Sequence, residues 1–148
     1  MKYVYWKALF AGVLISGFTS AFVKLLLKVF PSLDLTTVEA VEDILSYDDS
    51  GLFLGFMLFI IVIVSPLIEE MLFRGLIWNV MSKFVKVEVV YVVVSLLFAL
   101  IHLDPLHILG LLPISFLLGW FKYKTGNIKA SIVCHMSNNL TACLIMMV

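Results

Sequence analysis

Hydrophobic residues form long stretches along this chain, and most polar residues lie between them. In a transmembrane barrel, polar and apolar positions alternate along each strand, but these stretches are nearly continuous and lack that alternation. Within lipid, a single segment of this kind satisfies its backbone hydrogen bonds only as a helix. The pattern therefore predicts an all-α fold, a polytopic transmembrane bundle of about five helices. The predicted helices run from about 5 to 30, 52 to 80, 89 to 102, 106 to 123 and 128 to 148.

Breaks between the stretches divide the chain. Segment 34–49 holds six of the ten acidic residues, which predicts an exposed linker, flexible or partly helical. Asp104 before Pro105 is typical of an N-cap followed by a first-turn proline, and Gly126 is a typical helix-ending residue. We therefore divide the chain into residues 1–50, a transmembrane helix with the acidic linker, and residues 51–148, a core of four helices.

Composition supports a membrane protein. Hydrophobic residues make up 63% of the chain and charged residues 14%, and the mean hydropathy is +1.14. These values are typical of proteins that cross the membrane several times, so we expect a multi-pass protein of the cell membrane. The formal net charge is zero and no basic block stands apart from the apolar stretches, which argues against nucleic acid as a partner.

The first stretch has two interpretations. Lys2 and Lys7 before an apolar run, with small residues at 19–21, are compatible with a signal peptide. However, Lys24 and Lys28 follow within a continuing leucine-rich helix that shows no clear cleavage site, which favours a retained anchor. Counted loop by loop, most lysines fall on the side of Lys2 and Lys7, which predicts a cytoplasmic N-terminus and an external C-terminus.

The first polar cluster lies inside the second apolar stretch and contains Glu69, Glu70 and Arg74. A charged residue at the bilayer centre costs about 2.5–3.5 kcal/mol on insertion scales, so these side chains need partners. Glu70 and Arg74 are four residues apart and suit an ion pair along one helix face, whereas Glu69 projects about 100° away. We expect Glu70 and Arg74 to be structural and Glu69 to be free for general-base chemistry. A single buried structural network of all three residues is the alternative.

Two further clusters contain imidazoles. His102 stands four residues after Phe98, at the end of the third stretch. A lone histidine at a helix end is usually an interfacial residue, and we interpret His107 in that way. His135 and Asn139 share one face of the fifth helix, where they are able to donate hydrogen bonds to an oxyanion. Polar contacts between helices are the alternative for this pair.

Together, these clusters supply a carboxylate, two imidazoles and an amide, which is a set able to hydrolyse an amide bond. Glu69, His102 and His135 also resemble a zinc ligand set, although no HExxH motif is present. The helical rise places Glu69 about 20 Å from Lys83 and His135 about 9 Å from Lys129. The two side chains therefore meet only if the second helix extends beyond the bilayer, with Trp78 at the interface.

These motifs resemble those of the CAAX protease and bacteriocin-processing (CPBP, Abi) family of intramembrane metalloprotease-like proteins, which includes the type II CAAX prenyl endopeptidases. The family motifs EExxxR, FxxxH and HxxxN occur here in the same order within residues 52–148. Gly75 and the segment 124–126 extend the resemblance. The residues that match are Glu69, Glu70, Arg74, Phe98, His102, His135 and Asn139.

The resemblance implies a glutamate-dependent intramembrane endopeptidase. Glu69 would activate water with help from His102, and His135 and Asn139 would hold the oxyanion. Glu70, Arg74 and Phe98 would support the site. The implied mechanism needs no cofactor; zinc held by Glu69, His102 and His135 is the alternative.

The implied substrate is a prenylated CAAX-type protein C-terminus or a bacteriocin-like peptide, so the expected partners are a lipidated or hydrophobic peptide and membrane lipid. Family enzymes usually carry more helices ahead of the EExxxR segment, so we expect a substrate cavity that is either smaller or completed by another subunit, as in a homo-oligomer. Two alternatives stay open: a non-proteolytic membrane scaffold or bacteriocin immunity protein, and a small transporter or proton relay.

Overall fold

The structure is a computed structural model that describes residues 2–30 and 51–147. Within these ranges the chain forms five helices and no strands, which confirms the predicted all-α fold. The predicted acidic linker lies outside the described residues. The helices are α1 (Lys2–Val29), α2 (Gly51–Met81), α3 (Val87–Leu100), α4 (Pro105–Thr125) and α5 (Lys129–Met146).

Helix lengths agree with a membrane protein. Among the described residues, α1, α2 and α4 are long and apolar enough to cross a membrane, whereas α3 is apolar but shorter. The 31 residues of α2 correspond to about 46 Å, well beyond the roughly 30 Å hydrocarbon core. Helix α2 therefore has the length that the meeting of Glu69 and His135 requires. Trp78, near the end of α2, is buried against Tyr91, with 6.5 Å between ring centroids.

Helix α2 is not regular throughout. Two π-helical segments, Ile60–Val64 and Met71–Ile77, flank a short α-helical segment, Ser65–Glu70. Pro66 lies in that short segment; it lacks an N–H group, and its ring crowds the carbonyl four residues earlier, which explains the widening before it. Single π-helical turns inside α-helices are frequent at functional sites. The irregularity thus surrounds the two adjacent glutamates, and the sequence pattern did not predict it.

The predicted ends of α4 are confirmed. The Asp104 carboxylate caps the helix by accepting hydrogen bonds from the backbone N–H groups of Leu106 at 2.8 Å and His107 at 3.0 Å. At the other end, Gly126 has a φ of 72° and donates its N–H to the Lys122 carbonyl. This left-handed conformation favours glycine. The two caps fix short connections from α3 to α4 and from α4 to α5.

Close contacts at two glycines hold the bundle together. A Cβ atom at Gly12 of α1 would overlap the Cys134 carbonyl oxygen of α5, and one at Gly119 of α4 would lie 2.6 Å from Ser95 Oγ of α3. Small residues let helices approach closely where lipid removes the hydrophobic drive for association. The α1–α5 contact also includes a hydrogen bond from Ser137 Oγ to the Leu9 carbonyl, at 2.7 Å. Helix α1 is therefore packed directly on the helix that carries His135 and Asn139.

Candidate active site

A buried ion pair forms the foundation of the polar cluster. Arg74 Nη1 donates to Glu70 Oε1 at 3.0 Å, and both side chains are 0% exposed. Arg74 Nη2 donates to the Ser115 carbonyl at 2.9 Å and to Ser115 Oγ at 3.0 Å. The guanidinium carbon lies 4.3 Å from the centre of the Phe98 ring. Arg74 therefore joins α2, α3 and α4, and its pairing with Glu70 agrees with the structural role expected of both.

Phe98 lies between the charged and imidazole groups. Its ring is 5.6 Å from the His102 ring and 5.6 Å from the His135 ring, centroid to centroid. The Phe73 ring meets it edge-on at 5.2 Å. Because Phe98 is almost fully buried, its ring keeps the two imidazoles in fixed positions on α3 and α5.

His135 contacts both glutamates. Its Nδ1 lies 3.1 Å from Glu70 Oε1, and its Nε2 lies 3.7 Å from Glu69 Oε2. The second distance exceeds a direct hydrogen bond, so Nε2 is the less committed nitrogen. The structure thus brings together side chains of α2 and α5 that the helical rise alone had placed at different heights.

Glu69 has surroundings unlike those of Glu70. Its side chain is 26% exposed, and its Oε1 accepts a hydrogen bond from the Ser65 hydroxyl, one helical turn earlier. The Ser65 hydroxyl therefore holds this carboxylate while part of it is left uncovered by the rest of the protein. That position agrees with the general-base role expected of Glu69.

His102 lies just beyond the end of α3. Its Nδ1 is 3.0 Å from the Phe98 carbonyl oxygen, and because a carbonyl only accepts, Nδ1 carries the hydrogen. The Nε2 atom of the neutral ring is then an acceptor. His102 thus shares Phe98 with His135 and offers a nitrogen suited to orienting water.

Asn139 follows His135 by one turn on α5. Its Nδ2 donates to the Ile61 carbonyl of α2 at 3.0 Å, and its Oδ1 accepts from Asn138 Nδ2 at 3.2 Å. Ile61 belongs to the first π-helical segment. An amide nitrogen carries two hydrogens, and the described hydrogen bonds use one of them. Asn139 therefore links α5 to the irregular part of α2 and retains a donor.

The histidines and Glu69 do not form a zinc site in this arrangement. Among residues 2–30 and 51–147, no three or more His, Cys, Asp or Glu side chains lie together in a way that could hold a metal ion. Glu69, His102 and His135 are therefore not grouped as a metal ligand set in the described residues, and we derive no step through a metal.

Three residues of the site were not predicted. Ser65 stands one turn before Glu69, next to Pro66. Its four-residue spacing from Glu69 is a sequence signal from which their hydrogen bond could have been predicted. Ser115 is an isolated hydroxyl in an apolar helix, and nothing marked it as the partner of Arg74. His107 was interpreted as interfacial, but its ring meets the His102 ring at 5.1 Å, and its buried Nδ1 has no hydrogen-bond partner among the described residues.

Comparison with known proteins identifies the family to which this chain belongs. Residues 51–141 match the family described as type II CAAX prenyl endopeptidase Rce1-like, and that range contains all three motifs. The UPF0177 protein YxdF of Lactococcus lactis subsp. lactis (strain IL1403) is 35% identical over 83 residues, which are 55% of this chain and 45% of that relative. The chain therefore spans less than half the length of this relative. No solved structure matches the chain significantly. Because the family match covers more than half of its residues, the chain belongs to the Rce1-like family of type II CAAX prenyl endopeptidases.

Proposed function

We propose that this membrane protein is an intramembrane endopeptidase in which Glu69 activates the attacking water. Its substrate would be a prenylated CAAX-type or bacteriocin-like peptide, cleaved near the C-terminus. The observation that carries the proposal is the difference between the two glutamates: Arg74 neutralises the buried Glu70, and Glu69 stays 26% exposed beside Ser65 and His135. A carboxylate so placed has the access that a general base needs.

The proposed reaction begins with a water molecule between Glu69 and the scissile carbonyl. Glu69 takes one proton while the water oxygen bonds to the carbonyl carbon, which produces a tetrahedral oxyanion. The Nε2 acceptor of His102 orients the water. When the intermediate collapses, the carbon–nitrogen bond breaks and Glu69 returns its proton to the leaving amine.

Two side chains of α5 stabilise the oxyanion in this scheme. A protonated His135 donates from Nδ1 to Glu70 and from Nε2 to the oxyanion. Asn139 donates its second amide hydrogen, while the first stays on the Ile61 carbonyl. Donors aimed at the developing charge in a site with little water are usually the largest single contribution to catalysis.

The proposal is tested by cleavage of a farnesylated CAAX peptide with detergent-purified protein. Wild type, Glu69→Gln and the control Glu88→Gln are compared after thermal unfolding shows equal stability. Glu88 is an exposed carboxylate at the start of α3, so its variant controls for the general loss of a negative charge. We expect cleavage by wild type and Glu88→Gln only.

Two other results reject parts of the proposal. Full cleavage by Glu69→Gln would remove Glu69 as the base. No cleavage of prenylated or bacteriocin-like peptides by any of the proteins would reject the protease proposal in favour of the scaffold or immunity function.

A further inference from the structure

A cavity of about 500 Å³ lies between α1, α4 and α5. This volume falls within the range of small-molecule sites, roughly 300–1,000 Å³. Apolar side chains make up much of its wall, including Leu27, Leu111, Ile114 and Ile145. The reaction scheme above does not use this cavity.

The cavity adjoins the candidate active site at two points. Asn139, a proposed oxyanion donor, is part of its lining. His107 also lines it, and the His107 ring contacts the His102 ring at 5.1 Å. A molecule bound in the cavity would therefore reach the edge of the catalytic cluster. The buried Nδ1 atom of His107, which has no hydrogen-bond partner among the described residues, gives this wall an additional polar atom.

Polar groups on the wall suit a peptide backbone. Ser16 and Ser20 lie one turn apart on α1, and the Asn138 amide lies across from them on α5. An extended peptide carries unpaired N–H and C=O groups, which are costly to bury without hydrogen-bond partners. In this wall the hydroxyl and amide groups offer hydrogen bonds to a peptide backbone, and the apolar side chains offer contacts to hydrophobic side chains.

The Lys24 side chain contributes a positive charge to the lining of the cavity. Lys24 is exposed and lies on the same face of α1 as Ser16 and Ser20, at four-residue intervals. Ser16 is almost fully buried, and the rise along the helix places Lys24 about 12 Å from it. Three extended residues span about 10 Å. A short peptide beginning near Ser16 would therefore end near Lys24.

Asp104 contributes an opposite charge to the lining. Its Oδ1 accepts the backbone N–H groups of Leu106 and His107, so this oxygen is directed to the start of α4. These hydrogen bonds give Asp104 a structural role as the cap, whereas no hydrogen bond or ion pair within residues 2–30 and 51–147 involves the exposed ammonium group of Lys24.

We propose that the cavity binds the C-terminal segment of the substrate, the part released by hydrolysis, and that Lys24 pairs with its terminal carboxylate. This inference rests on the proposed function, since it assigns the cavity to the leaving side of the cleaved bond. It identifies Lys24 as a specificity-determining residue for substrates with a free C-terminus. Lys24 belongs to α1, outside the range matched by the family.

The test measures binding separately from turnover. Glu69→Gln protein in phosphatidylcholine nanodiscs is titrated with S-farnesyl-Cys-Val-Val-Met ending in a free carboxylate and with the same peptide ending in an amide. We expect the carboxylate peptide to bind about two- to fivefold more tightly, as for an ion pair with an exposed lysine. Adding Lys24→Met should abolish the preference, and Lys24→Arg should retain it. Lys28→Met, an exposed lysine one turn further along α1 that does not line the cavity, should leave it unchanged.

Three outcomes would overturn this inference. One is an unchanged carboxylate preference in Lys24→Met; another is an equal loss in Lys28→Met, which would indicate general surface charge. The third is binding of neither peptide. Suppression of the preference by added phosphatidylglycerol, without peptide competition, would instead assign Lys24 to a lipid headgroup. If binding follows the expectation but Glu69-intact protein does not cleave, the hydrolytic function fails and the carboxylate site stands.

Discussion

Glu69 and Glu70 are neighbours in the chain but belong to two different regions of the molecule. On the Glu70 side, Arg74, Ser115 and Phe98 join α2, α3 and α4 into a fully buried network. On the Glu69 side, the carboxylate accepts a hydrogen bond from Ser65 and lies near His135, and 26% of the Glu69 side chain is exposed. The contrast teaches that two adjacent residues of one helix, about 100° apart around its axis, can present one buried, paired carboxylate and one partly exposed carboxylate.

The same contrast extends to the helices that complete each region. The buried side is closed by α3 and α4, which approach closely at Gly119 and Ser95. The open side, that of Glu69, meets α5 through His135. Helix α5 also encloses the cavity together with α1 and the start of α4. We therefore expect substitutions on the first side to change stability and substitutions on the second side to change turnover.

The largest effect is expected from Arg74→Met, which leaves Glu70 buried without its cation. Breaking a buried ion pair by removing one partner costs about 3–5 kcal/mol. Unfolding in detergent, followed by circular dichroism, should show that loss, and the double variant Glu70→Gln with Arg74→Met should recover part of it. An Arg74→Met protein as stable as wild type would contradict the structural role. Lys83→Met, in the exposed turn after α2, is the control.

Asn139→Ala tests the open side. Loss of an oxyanion donor should slow hydrolysis of the farnesylated peptide by about 10²-fold or more, with little change in the KM value. Because Asn139 also bonds the Ile61 carbonyl, the variant must be compared at matched folding. Asn79→Ala, an exposed amide on α2, should behave as wild type. Equal turnover of Asn139→Ala and wild type would remove Asn139 from the oxyanion role.

A smaller effect on stability is expected where α1 meets α5. Gly12→Ala adds a Cβ atom that overlaps the Cys134 carbonyl, and such overpacking typically costs about 1–3 kcal/mol. Gly17→Ala, on the same helix, meets nothing within 4 Å and should instead stabilise by about 0.5–1 kcal/mol. Chemical unfolding of the two variants should therefore shift in opposite directions. Shifts of the same sign would show that α1 does not pack on α5 as described.

The smallest effect is expected from Ser65→Ala, which removes the hydroxyl that donates to Glu69. Loss of one hydrogen bond to a charged group should lower kcat about tenfold. Ser82→Ala is the matched control, because the Ser82 hydroxyl donates to the Trp78 carbonyl, at 2.8 Å, near the end of the same helix and away from Glu69. A kcat for Ser65→Ala equal to that of Ser82→Ala would show that Ser65 does not position the base.

The helices and their caps could be predicted because they depend on local chemistry. Continuous apolar stretches, the Asp104 cap and Gly126 each determine structure within a few residues. The pairing of Glu70 with Arg74 was likewise readable from their four-residue spacing.

Contacts between helices were less accessible to sequence reasoning. The contact of His135 with both glutamates depends on the length of α2 and on its two π-helical segments. A depth calculated from the regular helical rise takes neither feature into account. Ser115 reaches Arg74 and Ser95 through the packing of α4 against α2 and α3. Hydrogen-bond partners in such contacts depend on rotations and depths of whole helices, which hydrophobic periodicity does not determine.

The most direct test of the account measures stability and turnover of Glu69→Gln and Glu70→Gln side by side, with a farnesylated CAAX peptide as substrate. We expect Glu69→Gln to fold as wild type and lose cleavage by about 10²-fold or more. Glu70→Gln should lose about 3–5 kcal/mol of unfolding free energy, because Arg74 is left buried without a counter-charge. A stable, inactive Glu70→Gln protein together with an active Glu69→Gln protein would contradict the account.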